Sequence, residues 1–132
     1  MPLFIGLFYK VRKVREKNLS KLNHKYKRLL LDGEEIETAY KKCKKSCRQH
    51  LYAFTKKRLL LIDNKGIFFG NTECTSIPYM GIAKFSFGNE KHHFGAELAI
   101  WIRGDRDPIH MNFYKQNDAY KLHEFLTRHV LR

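Results

Sequence analysis

The residues of this chain with the most chemical potential crowd into one short stretch, KKCKKSCRQH, from Lys41 to His50. Cys43-x3-Cys47-x2-His50 offers three soft metal ligands, with Cys74 or His92 as a fourth. Structural zinc usually shows two close ligand pairs, and a loop with four lysines repels a cation, so the spacing is read as coincidence and no metal is expected. The same stretch holds Lys41, Lys42, Lys44, Lys45 and Arg48. Cations that dense repel one another unless an anion sits among them, which makes the segment a candidate anion or lipid-headgroup loop, weighed equally against a solvated hairpin tip. His92-His93 reads as solvated. No nucleophile elbow, Gly-rich phosphate loop or oriented carboxylate pair is present, so the residues point away from an enzyme and imply no cofactor or small-molecule substrate.

The stretch Leu51–Gly70, LYAFTKKRLLLIDNKGIFFG, is what must position that loop. Leu51–Phe54, Leu59–Ile62 and Ile67–Phe69 are too short for helices, and each is bounded by turn chemistry. They predict three antiparallel strands joined by turns at Thr55-Lys56-Lys57-Arg58 and Asp63-Asn64-Lys65-Gly66. Upstream, Ile36, Thr38 and Tyr40 alternate as a half-buried first strand within Glu34–Lys42. Downstream, Asn71–Ser76 extends the fourth strand and Pro78 breaks the ladder. Ala83–Phe87 predicts a strand with Phe85 and Phe87 inward. In Ala96–Arg103, Ala96, Leu98, Ile100 and Ile102 share one face, leaving Glu97, Ala99, Trp101 and Arg103 on the other. After a turn at Gly104–Asp107, Ile109, Met111 and Phe113 point inward and His110, Asn112 and Tyr114 outward. Trp101, His110, Asn112 and Tyr114 thereby make a candidate oligomer interface, since aromatic anchors dominate protein contacts.

Both ends predict helices. Phe4, Leu7, Phe8, Val11 and Val14 recur among basic residues as an amphipathic helix that either contacts a membrane surface or, the preferred reading, packs on protein. Leu19, Leu22, Tyr26, Leu29 and Leu30 mark a second segment, capped by Asn18 or Ser20 and stopped at Asp32-Gly33. At the other end, Leu122, Phe125, Leu126, His129 and Val130 form a helical stripe that Asn117 or Asp118 can cap.

With 132 residues and 43% apolar composition the chain predicts one folded domain, residues 32–132, preceded by a basic helical segment, residues 1–31. Of the net charge of +13, residues 1–50 carry +9, which favours membrane headgroups, nucleic acid or acidic proteins as partners. Three cysteines and no secretory signal predict free thiols and a cytoplasmic location, with peripheral attachment to the inner face of the membrane as a variant.

Taken together, LLLDGEEIETAYK, LYAFTKKRLLLIDNKG, SIPYMGIAKFSF, AELAIWIRG and PIHMNFYK before a terminal helix resemble the bacterial pleckstrin-homology-like family over residues 29–132. The resemblance implies a mainly β fold with helices: a seven-stranded barrel of two orthogonal sheets closed by the C-terminal helix, here with the N-terminal helical extension. It also implies ring-like homo-oligomers with no established ligand or activity. In eukaryotic relatives the loop between the first two strands binds phosphoinositide headgroups. Lys42, Lys44, Lys45 and Arg48 fall in comparable places, with Lys65 and Arg106 on loops expected at the same end, although His50 stands where a second Arg is usual. Three functions follow in order: a self-associating assembly module, a peripheral module for anionic lipid, and a nucleic-acid binder.

Overall fold

The computed structural model describes residues 10–43, 49–65, 71–89 and 95–131. Among them are eight strands: β1 (Val11–Lys13), β2 (Thr38–Cys43), β3 (Gln49–Phe54), β4 (Arg58–Lys65), β5 (Asn71–Pro78), β6 (Ile82–Asn89), β7 (Ala96–Ile102) and β8 (Ile109–Phe113). Two α-helices accompany them, α1 (Glu16–Lys25) and α2 (Gln116–Val130). The chain divides into two compact units, Lys13–Ile77 and Met1–Arg12 with Pro78–Arg132.

In the first unit the strands lie in the order β5-β4-β3-β2, and β2, β3 and β4 are antiparallel, with Ala39 opposite Ala53 and Ala53 opposite Leu60. The face with Ala39, Leu51, Ala53, Leu60 and Ile62 packs with Val14, Tyr26 and Ile36 in one apolar cluster, joined by Leu19 and Leu22 of α1. Tyr40, Phe54 and Leu59 on the opposite face are also buried, the Tyr40 and Phe54 rings meeting edge to face at 6.0 Å. Burial on both faces explains why LYAF and LLLI are continuous apolar runs. It also corrects the half-buried first strand: Thr38, Ala39 and Tyr40 are all buried.

Helix α1 carries Glu16 in its first turn and His24 and Lys25 in its last, matching the macrodipole. Its start is set by Arg15, in extended conformation and without a side-chain cap, rather than by Asn18 or Ser20. Asn23 ties it to the chain before β2, accepting from the Ile36 amide (2.7 Å) and donating to the Ile36 carbonyl (3.2 Å). After Lys25 comes a 3-10 turn, Lys27–Leu29, and then Gly33 at φ 81°, where the expected Asp32-Gly33 turn falls.

The second unit orders its strands β1-β8-β7-β6. β8 and β7 are antiparallel (Leu98 opposite Met111), and so are β7 and β6 (Phe87 opposite Leu98). Leu98, Ile100, Met111 and Phe113 are buried beside Ala119, Leu122 and Leu126 of α2. Ile100 is 0% exposed and Trp101 only half-buried, the parity expected for that strand. Lys115, without a side-chain bond, precedes α2 where Asn117 or Asp118 was expected to cap it. Pro78 ends β5, and the 3-10 turn Tyr79–Gly81 leads into β6.

Three expectations are overturned. The N-terminal amphipathic helix does not reach Val11: Val11–Lys13 is a strand paired in parallel with β8 through Val11 and Phe113, and Val11 is 0% exposed. Three residues are too few for a period of two to register, and the valines read equally well at helical spacing. This strand makes eight where seven were expected. The turn at Asp63–Gly66 does not begin at Asp63, because β4 continues through Lys65 with Asp63 opposite His50 and Asn64 opposite Gln49. Asn64 instead donates to the Tyr26 hydroxyl (2.8 Å) and accepts from Thr72 (3.0 Å). The expected strand Ile67–Phe69, and Phe4, Leu7 and Phe8 of the proposed membrane helix, lie outside the described residues.

A buried β1 makes Val11→Lys destabilising by about 2 kcal/mol or more, because an unpaired ammonium must be desolvated, while Lys17→Ala on the exposed side of α1 changes stability by about 0.5 kcal/mol at most. Urea midpoints compare the two; equal midpoints would place Val11 on a free surface.

Candidate functional site

Outward residues of β1, β8, β7 and β6 follow from strand parity: where Val11 is buried and Met111, Leu98 or Phe85 faces α2, the neighbouring residues face away. The outer face pairs cations and carboxylates with rings and imidazole. Lys84 of β6 lies opposite Trp101, its Nζ 4.7 Å from the ring centroid. The Arg12 guanidinium stands 4.8 Å from the Tyr114 ring, with Lys10 Nζ at 5.8 Å. Between these, His110 Nδ1 is 3.1 Å from Glu97 Oε1, both side chains more than half exposed. Asn112 is exposed opposite Glu97. Each exposed cation–ring contact is worth about 0.5–1 kcal/mol, too little to hold the fold but enough to keep the rings presented upright.

An open depression of about 560 Å³ runs along this face, lined in part by Lys10, Ser86, Gly88, Glu97 and Asn112. Gly95 borders it because the backbone passes so close that a Cβ there would sit 2.7 Å from the Phe113 carbonyl oxygen. The four residues expected at an interface, Trp101, His110, Asn112 and Tyr114, are therefore brought to one face. Strand parity in the sequence already sets Glu97 beside Trp101 and Lys84 outward next to Phe85; what it missed is Arg12, read as part of a helix, and the meeting of Lys84 with Trp101 across neighbouring strands.

The basic loop is only framed. Lys41 and Lys42 are half-buried on β2, and Lys42 lies opposite His50. Lys44, Lys45 and Arg48 lie outside the described residues, as do Cys47, His92 and the side chain of Cys43. Lys65 is the last residue of β4, and Arg106 is exposed in the turn between β7 and β8, in the other compact unit. His50 Nε2 is 3.9 Å from Asp63 Oδ1. Cys74 is a free, half-buried thiol, pushed up by its burial against the opposing pull of Arg58. Among the described residues no group of three His, Cys, Asp or Glu side chains is placed to hold a metal ion.

A third cluster had no counterpart in the sequence reading. Glu34, whose side chain is 2% exposed, accepts from Arg58 through both oxygens, at 2.8 Å from one Nη and 3.0 Å from Nε. Thr55 donates to the same carboxylate at 2.8 Å and accepts from the Lys57 and Arg58 amides, closing the β3–β4 turn. Arg58 also donates to the Leu29 carbonyl (2.7 Å) and the Ser76 hydroxyl (2.9 Å). The Glu34 carboxyl is held at about 2 by the hydrogen bond from Arg58, burial opposing it and the Leu31 amide and Thr55 assisting. Every partner is a backbone or fixed side-chain group, so the cluster is structural.

The chain matches the bacterial PH domain family over residues 4–130. It is 37% identical over 101 residues to the uncharacterized protein YjqA of Bacillus subtilis (strain 168), covering 75% of this chain and 77% of that one. The uncharacterized protein YozO of the same organism is 28% identical over 106 residues, 80% of this chain and 87% of its own. Among solved structures, a protein with a pleckstrin-homology domain from Shewanella loihica PV-4 superposes with TM-score 0.73 at 25% identity, covering 92% and 98% of the two chains. A pleckstrin homology domain from Shewanella amazonensis SB2B gives TM-score 0.65 at 30% identity, covering 90% and 93%.

The depressed Glu34 carboxyl fixes a pH dependence. A folded-state value of about 2 against an ordinary 4.5 means that the unfolded chain binds more protons between those values. The stabilisation is complete above pH 4.5 and is lost as pH falls toward 2. Glu34→Gln therefore costs about 2–3 kcal/mol at neutral pH and flattens the acid limb of the stability curve. Urea unfolding from pH 7 to pH 2 measures both, and an unchanged acid limb in the variant would remove Glu34 as its source.

Proposed function

The chain belongs to the bacterial PH domain family, and on that premise we propose that it is a non-enzymatic assembly module that associates with copies of itself through the outward face of β1, β8, β7 and β6. The family is generally non-enzymatic and its relatives here are uncharacterized, so the surface must supply the argument. One observation carries the reading: Trp101, His110, Asn112 and Tyr114 share a face on which Lys84 and Arg12 already sit over the rings. Rings held upright lose little side-chain entropy on contact, which is why aromatic and Arg anchors dominate interfaces. The Glu97–His110 pair gives that face a polar element able to fix register between copies.

A second reading has its own support in the +9 charge of residues 1–50 and in the position of Lys41 and Lys42, on β2 where it leads into the basic loop. Here Lys44, Lys45 and Arg48 with those two lysines bind anionic headgroups at a membrane surface, each contributing about 1 kcal/mol. Among the described residues no helix is long and apolar enough to cross a membrane.

Light scattering across a concentration series tests the first reading. The expected mass is a fixed multiple of 15.8 kDa, falling toward the single-chain mass in Trp101→Glu/Tyr114→Glu. A wild-type monomer at every concentration overturns it. For the second, sedimentation with vesicles containing phosphatidylserine should exceed that with phosphatidylcholine alone, and Lys44→Glu/Lys45→Glu should abolish the difference; equal sedimentation with both vesicles rejects it.

A further inference from the structure

Part of the charge excess of the first fifty residues sits on one exposed helix, α1, and on the 3-10 turn that follows it. From Arg15 to Arg28 there are six Lys or Arg residues against one carboxylate, Glu16. On α1, Lys17, Lys21 and Lys25 recur at every fourth position and are exposed, with exposed His24 among them. At 3.6 residues per turn they fall within a sector of about 100°, opposite the side on which Leu19 and Leu22 pack on the apolar cluster. They climb about 12 Å along the helix axis. Exposed Lys27 and Arg28 follow in the 3-10 turn.

This stripe returns nothing to the fold. Like charges four residues apart on a helix repel, so Lys17 with Lys21 and Lys21 with Lys25 both cost stability. Among the described residues no carboxylate forms an ion pair with Lys17, Lys21, Lys27 or Arg28, and Lys25 stands over the Tyr26 ring at 5.3 Å. Glu16 lies outside the sector, at the first turn. The β3–β4 turn, tied to the Leu29 carbonyl through Arg58, adds exposed Lys56 and Lys57, but exposed Asp32 and Glu35 equal them in number. The uncompensated excess is therefore on α1.

Shape and composition select the partner. The sector holds no apolar or aromatic side chain, whereas a protein interface needs buried anchors, a lipid surface takes an inserted apolar face, and a single nucleic-acid strand stacks its bases on rings. The apolar residues of α1 are already engaged with the core. What remains is a row of ammonium groups along a convex rod, the complement of a linear array of phosphates. A duplex carries one charge about every 3.4 Å along each strand, so a stripe of about 12 Å spans about three or four of them.

We propose that the outer face of α1 binds the phosphate backbone of duplex nucleic acid, without reading its sequence, through Lys17, Lys21 and Lys25. Neutralised phosphates release their condensed counterions, which supplies the affinity. The site shares no residue with the assembly face or with the basic loop, and its test does not depend on oligomeric mass.

The probes are two short labelled DNA duplexes of unrelated sequence, each titrated with full-length protein across a salt series. Both should bind equally. Removing two phosphate contacts in Lys17→Gln/Lys21→Gln should lower the slope of log affinity against log salt by about 2, so that raising salt from about 50 to about 200 mM costs the wild type about tenfold more affinity than the variant. Glutamine keeps the helix propensity, and Lys17→Arg/Lys21→Arg should restore the wild-type slope. Equal slopes in wild type and the glutamine variant, an approximately tenfold preference for one duplex, or no duplex binding at about 50 mM salt overturns the proposal. So does a slope that falls only in Lys44→Gln/Lys45→Gln, which would assign the duplex to the basic loop. Phosphatidylserine vesicles and polyglutamate are titrated alongside: if Lys17→Gln/Lys21→Gln weakens binding to either and leaves the duplex untouched, α1 faces a membrane or an acidic protein instead.

Discussion

The bidentate contact between Arg58 and Glu34 is the point from which the Lys13–Ile77 unit is held together. One guanidinium engages a carboxylate, the carbonyl at the end of the 3-10 turn and a hydroxyl on β5, so the Leu29–Glu34 stretch and β5, far apart in sequence, converge on a single planar donor from β4. A lysine has no fixed fork with which to do this. The carboxylate is nearly inaccessible to water, and its desolvation is offset by donors from Arg58, Thr55 and the Leu31 amide. With that node in place the β3–β4 turn is fixed by Thr55, and the hydrophobic register of the strands follows from it.

The other unit has no such node among its described residues and depends on packing. Leu98, Ile100, Met111 and Phe113 fill one side of the sheet against Ala119, Leu122 and Leu126. Its polar contacts are exposed and individually weak.

Much of this was legible from residue order alone. β7 could be read face by face because its sides differ sharply in polarity, and α2 because its stripe repeats at helical spacing over more than two turns. LYAF and LLLI were recognisable as strands from their length and bounding turns, though not which sides were covered, because full burial erases alternation. β1 was illegible: three residues carry no period, and what makes them a strand is a partner about a hundred positions away. Asn64 misled for a related reason. Its side chain suits a turn, but Tyr26 and Thr72 claim it first, and neither neighbour is visible in the local sequence. Glu34 looked like one acidic residue among several in DGEEIE; only the fold reveals that it alone meets an arginine.

The parallel pairing of Val11 with Phe113 has a bearing on how the molecule acquires its shape. Bringing those residues together closes a loop of about a hundred residues, whose entropic cost must be met before the short strand returns any hydrogen bonds. Hairpins such as β3–β4 and β7–β8 close over a few residues and carry no such penalty. The local turns therefore form at a lower entropic cost than the pairing that joins the leading strand to β8.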